Sequence, residues 1–126
     1  MKEIFFDTNF NNKMDCQVFL HISMAPLDFI PESKMGGSVR IVTRDGSHEP
    51  ITCKLVDFAR VKMNDLVSVD TYASYGLNEF AFKEWWFQKY PHTTLDSEMA
   101  IYVYARMSAA EEAGAMAHSQ KEMKVA

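Results

Sequence analysis

Apolar positions along this chain repeat every second residue, then every third or fourth, then every second again. Lys2–Phe6 (KEIFF) and Gln17–Ser23 (QVFLHIS) are β-rich runs. Between them Asp7–Asp15 is dense in Asn and Asp, whose side chains bond the local backbone, and reads as a loop. Met24–Gly37, punctuated by Pro26, Pro31, Gly36 and Gly37, is a long connection with room for one helical turn around Leu27–Ile30. In Ser38–Arg44 the residues alternate: Val39, Ile41 and Thr43 share one face, Arg40, Val42 and Arg44 the other. Asp45-Gly46 follows at once and predicts a tight hairpin with positive φ at both central residues. The return run Pro50–Met63 is long for one strand, so a bend or bulge is expected near Asp57–Ala59. Its core candidates are Leu55, Val56, Phe58, Val61 and Met63.

The period then changes to that of a helix. Asn64 is a suitable N-cap for a helix over Asp65–Ser74, with Leu66, Val69, Tyr72 and Ala73 on its apolar face and Gly76 at its C-cap. Asn78 caps a second helix, Glu79–Lys89, with Phe80, Phe82, Trp85 and Trp86 as its apolar side and Pro91 as its stop. Adjacent tryptophans point about 100° apart on a helix, so only one can be central to a core and the other is expected at a cleft rim. Met99–Arg106 (MAIYVYAR) is a strand with Ile101 and Val103 on one side and Tyr102 and Tyr104 on the other. Ser108 and Glu111 form a capping-box pattern that opens a C-terminal helix over Ala109–Lys121.

Composition narrows the classes. At 126 residues, 48% hydrophobic and 13% aromatic, the chain is one domain with a core and not a disordered segment. It carries 13 basic against 17 acidic residues, a net charge of −4, which disfavours tight non-specific nucleic-acid binding but leaves room for a local basic face. Cys16 and Cys53 are far apart in apolar stretches and read as buried free thiols of a reducing compartment, with a disulfide as the alternative. The four histidines show no metal-ligand spacing, so no metal and no cofactor is expected. No signal peptide and no membrane-length apolar run is present, so a cytoplasmic protein is expected.

From Val39 to Arg106, roughly half of the chain, the order of elements and the pairs Tyr75-Gly76, Glu79-Phe80, Trp85-Trp86 and Tyr90-Pro91 resemble the ASCH family of the PUA-like superfamily. The resemblance implies an α+β fold: a small PUA-like β-barrel with two short helices and a C-terminal helix. Residues 1–107 then form the domain and 108–126 a helical tail. The family's Gly-x-Lys-x-x-Glu-x-Arg motif has its nearest match in Ser33–Arg40, where Lys34 and Arg40 stand in place and the Gly and Glu do not.

Three functions are open on this reading. The first is a binding module for RNA or a modified nucleotide. Its candidate contacts are Lys34, Arg40, Arg44 and Arg60 as phosphate partners and Trp85 as a stacking platform. Lys34 with Gly36 and Gly37 also reads as an anion loop or as a solvated connection, and the hairpin cations as a nucleic-acid track or as a solvated face. Arg60, Lys62 and Lys54 share that face unless a bulge intervenes. The second function is an amidohydrolase acting on acylated nucleosides. Family members with that activity use a Lys, a Thr and a Glu, which the resemblance maps onto Lys34, Thr43 and Glu49. The third is a non-catalytic homo-oligomer, for example a homodimer, joined through Met99–Arg106 or the C-terminal helix.

Overall fold

The alternating runs become the strands of one mixed sheet in the computed structural model, which describes residues 2–25, 37–108 and 110–111. β1 (Lys2–Phe6), β2 (Val18–Met24), β3 (Ser38–Thr43), β4 (Ile51–Lys62) and β5 (Glu98–Arg106) lie in the order β1-β3-β4-β5-β2. Neighbours are antiparallel except for the parallel pair β1 and β3. A 3-10 turn, Phe10–Asp15, joins β1 to β2, and α1 (Ser68–Tyr75) and α2 (Glu79–Lys89) join β4 to β5.

The α+β class follows from these elements, but the sheet is not a closed barrel. β1 and β2 are its two hydrogen-bonded edges, and no ladder joins them among the described residues. The sheet nevertheless curls until side chains of the two edges meet: Phe6 stacks on His21 at 3.9 Å between ring centroids and meets Phe19 edge-on at 6.4 Å. Aromatic rings thus fill the seam that a fifth pairing, between β1 and β2, would have closed.

Both faces of the curled sheet are covered. Inside the curl, Phe6, Met14, Phe19, Ile41, Cys53, Leu55, Tyr102 and Tyr104 form one core. On the outer face Ile22, Met99 and Ile101 pack under the helices with Met63, Leu66, Phe82 and Trp86. This is why β5 is buried on its tyrosine side and on its Ile101 side alike.

Local chemistry accounts for the element ends, with some corrections. Asn78 caps α2 by accepting from the Ala81 N–H at 2.8 Å, and Gly76 ends α1 at φ 73°. The first helix starts later than Asn64 implies: Met63–Asp65 is a 3-10 turn and α1 begins at Ser68. Its inward face is Thr71 and Ser74, while Val69 and Tyr72 are exposed. Phe80, expected inside, is 75% exposed. At the Asp45-Gly46 turn only Gly46 has positive φ, so the tight two-residue hairpin gives way to a longer loop with Asp45 accepting from the Ser47 N–H. Cys16 is exposed and Cys53 buried, both as free thiols.

The bulge falls at Val56, one position before the expected stretch, where the register with β5 shifts between Leu55 and Asp57. It reverses the facing of the rest of β4. Leu55 lies opposite Tyr104, yet Phe58 lies opposite Tyr102, so Arg60 and Lys62 turn to the face opposite Lys54. The single basic face expected of the hairpin is therefore split. Ser108 and Glu111 do make the reciprocal capping box, and Glu111 also pairs with Lys54. The rest of the Ala109–Lys121 helix and the Leu27–Ile30 turn lie outside the described residues. No helix of the described residues is long and apolar enough to cross a membrane.

Candidate ligand-binding cleft

The seam between the edge strands opens into a cleft of about 230 Å³. Phe5 and Phe6 of β1 and His21 and Ser23 of β2 form its floor and one side. Phe10 and Tyr75 close one end, and Trp85, Trp86 and Tyr90 of the α2 region form the opposite wall. The two tryptophans divide as the helix geometry requires: Trp86 is buried, and Trp85 is half-buried on the cleft side. Among the described residues the Trp86 indole N–H finds no acceptor.

Charge stands at the mouth. Asp7, just past β1, accepts from Lys89 at 2.7 Å and from Arg44 at 3.4 Å. The Lys89 ammonium also lies 5.2 Å from the Trp85 ring and 5.6 Å from the Tyr90 ring, and the Arg44 guanidinium 5.7 Å from the Phe5 ring. The hydrogen bond from Lys89 holds the Asp7 carboxyl below its ordinary range and raises the Lys89 ammonium in return. Two cations share one carboxylate, so the charged side chains that line the mouth, Asp7, Arg44 and Lys89, sum to one positive charge, with the Asp45 carboxylate near Asp7 outside the lining.

Behind the floor sits Lys13, only 2% exposed. The Asn-rich loop holds it there. Asn11 and Asn12 take left-handed backbone conformations, which Asn tolerates, and the Asn11 side chain donates to the Tyr72 carbonyl at 2.9 Å. That contact presses the loop against Gly76, where a Cβ would meet Asn11 Oδ1 at 3.1 Å. Lys13 Nζ then lies 2.7 Å from His21 Nδ1, 2.9 Å from the Ser74 carbonyl and 3.2 Å from Ser74 Oγ. The rings of Phe6 and Tyr75 face it at 5.1 and 4.9 Å. Among the described residues it makes no ion pair. Burial without a counter-ion brings its pKa down to about 7. Burial, helped by the Lys13 charge, holds His21 well below its ordinary value, and burial raises the Tyr75 phenol, which donates to the Ile22 carbonyl at 2.7 Å.

Two residues singled out from the sequence, Arg44 and Trp85, meet in this cleft. Arg40 lies on β3 between Glu3 and Thr52, away from it. Arg60 lies on β4 near Glu98, at 3.6 Å, beside a different, shallow groove. Thr43 and Glu49 lie at the base of the hairpin loop. Thr43 Oγ1 donates to the His48 carbonyl at 3.1 Å and receives the His48 N–H at 3.3 Å, while Glu49 is exposed. Lys34 lies outside the described residues. Lys13, His21, Ser74 and Lys89 were not among the sequence candidates. The one signal for Lys13 was a lysine inside an Asn-rich loop between two aromatic strands.

No family model matches the chain, and no curated protein matches it. Its fold is similar to that of protein EF3133 from Enterococcus faecalis V583, a DUF984 protein, with a TM-score of 0.59 over 85% of this chain and 80% of that one at 12% identity. The likeness is one of fold.

Proposed function

We propose that the protein is a nucleotide-recognising module: one nucleobase, free or within single-stranded RNA, enters the aromatic cleft with its phosphate against Arg44 and Lys89. The observation that carries this reading is the convergence of Trp85, Tyr90 and Phe10 with a net-positive mouth on a single hollow. Aromatic faces stack on any base, and paired cations attract a phosphate. The volume, about 230 Å³, is below the roughly 300–1,000 Å³ of drug-sized sites and suits one ring system. An overall charge of −4 argues for this local contact and against a broad nucleic-acid track.

Titration with uridine monophosphate and with a short oligouridylate, followed by tryptophan fluorescence and calorimetry, tests it and separates a free nucleotide from RNA as the source. Binding is expected to weaken with salt. Trp85→Ala is expected to weaken it by about tenfold or more, in line with roughly 1–3 kcal/mol per stacked base. Arg44→Ala is expected to lower the salt slope by about 0.7. Arg40→Ala, outside the cleft, serves as the control and leaves affinity unchanged. Absence of binding by both ligands at millimolar concentration would remove the reading.

A further inference from the structure

Resting on that reading, we propose that His21 selects the base by its exocyclic group, with Lys13 as the positioning residue that sets which imidazole nitrogen carries the proton. An ammonium at Lys13 has three protons and, within reach, three acceptors: His21 Nδ1, the Ser74 carbonyl and Ser74 Oγ. All three bonds form only if His21 Nδ1 is unprotonated, so the remaining proton sits on Nε2. Among the described residues Nε2 has no hydrogen-bond partner. His21 lines the cleft, and its ring is clamped by Phe6 at 3.9 Å. A fixed N–H donor on the cleft floor takes an oxo group, such as that at the 4-position of uracil or the 6-position of guanine. It opposes the amino group of cytosine or adenine.

A neutral amine at Lys13 reverses the arrangement. Its two protons serve Ser74, its lone pair accepts from His21 Nδ1–H, and Nε2 becomes an acceptor. Lys13 titrates near 7, while His21 stays neutral above its own depressed value, so the reversal falls inside an accessible range. The charged and titratable groups facing the pair are Asp7, Arg44, Tyr75, Lys89, Tyr90 and Tyr102. Asp7 is held as an anion, Lys89 as a cation, and Tyr75 and Tyr102 as neutral phenols by shifts that move them further from neutrality.

The experiment is the ratio of dissociation constants for cytidine and uridine monophosphates at pH 6 and pH 8.5. The phosphate is common to both ligands, so its own titration cancels in the ratio. Uridine monophosphate is expected to bind about tenfold tighter at pH 6, the scale of one well-placed hydrogen bond against a mismatched one. The preference is expected to vanish or invert at pH 8.5. His21→Gln, which keeps an acceptor for Lys13, is expected to bind both ligands with no pH-dependent preference. Lys13→Met, which removes the amine altogether, provides a second variant, with its fold checked by circular dichroism. It is expected to keep binding while losing the pH dependence of the ratio. Equal affinity for the two ligands at both pH values, or a preference that survives His21→Gln, overturns the selection while leaving the cleft as a nucleotide site. Failure of both ligands to bind removes the cleft reading and the selection together.

Discussion

Lys13 and Lys89 flank the same cleft and live by opposite rules. Lys89 stands at the mouth with its charge in water and a carboxylate 2.7 Å away, and its pKa is raised. Lys13 lies behind the floor among rings and neutral acceptors, and its pKa falls to about 7. An exposed pair of that kind contributes little to stability, a median of about 0–1 kcal/mol, because water already solvates both partners. A buried ammonium with no anion opposes folding unless it gives up its proton. The mouth is therefore built to attract charge and the floor to orient hydrogen bonds. The two ends of one hollow can be altered separately.

The floor breaks most completely at Phe6. Its ring is 2% exposed, supports His21 from below and closes the seam between β1 and β2 against Phe19. Phe6→Ala is expected to cost about 3–5 kcal/mol, the usual range for emptying a buried phenylalanine site. Urea denaturation of wild type and variant measures it. A loss under about 1 kcal/mol would mean that the edge strands are held together by something other than this ring. Phe80→Ala, at a site 75% exposed, is the matched surface control and is expected to stay within about 0.5 kcal/mol.

Lys13 gives the next effect, through pH. Unfolded, its amine keeps its proton up to the ordinary 10.5; folded, it releases it near 7. Between these values the unfolded chain binds more protons, so stability rises with pH there, and the full penalty is present below 7. The slope approaches about 1.4 kcal/mol per pH unit, and the rise between pH 7 and 9 is roughly 2 kcal/mol. Lys13→Met is expected to flatten that rise. Denaturation midpoints measured at half-unit intervals over this range decide it, since parallel curves for the two proteins would show that Lys13 is not buried as a lone cation.

How much of this was legible depended on what each residue answers to. Strands β1, β2, β3 and β5 and helix α2 obey local periodicity and capping, and Asn78, Gly76 and the Ser108–Glu111 box behave as their chemistry dictates. The α1 face was misjudged because periodicity ranks Val69 and Tyr72 above Thr71 and Ser74. Ser74 is inside because its hydroxyl accepts the Ile22 N–H at 3.0 Å and the Lys13 amine at 3.2 Å, a demand set by residues more than fifty positions away. The split basic face turned on a one-residue bulge, which reverses every later side chain of β4. Trp85 was legible as the tryptophan left over for a rim, and Arg44 as a cation of the alternating run Ser38–Arg44, one residue past the end of β3. Lys13 and His21 were not, since each looks like an ordinary loop or strand residue until the curl of the sheet brings them together. The cleft itself depends on a pairing that does not form, between two edges that no short-range pattern sets against each other.

The mouth offers the smallest change in stability and the sharpest contrast with the floor. Asp7 is held in its charged form by Lys89 first and then by the Arg44 charge, so its contribution is present above its unfolded value of 3.8 and is lost as pH falls through the lower folded value. Its side chain is 44% exposed, and solvent screening keeps that contribution under about 1 kcal/mol. Asp7→Asn is therefore expected to shift the denaturation midpoint little at pH 7 and less still as the pH is lowered below 3.8. For an anionic ligand the effect is opposite in sign. Removing the carboxylate frees Lys89 and Arg44 from their shared partner, so uridine monophosphate is expected to bind several-fold tighter at low ionic strength, with the gain fading as salt shortens the screening length. The uracil-over-cytosine ratio is expected to stay where it was, because the floor is untouched. A change in that ratio with Asp7→Asn would show that the two ends of the cleft are coupled, and the contrast between Lys13 and Lys89 would then describe one electrostatic unit instead of two.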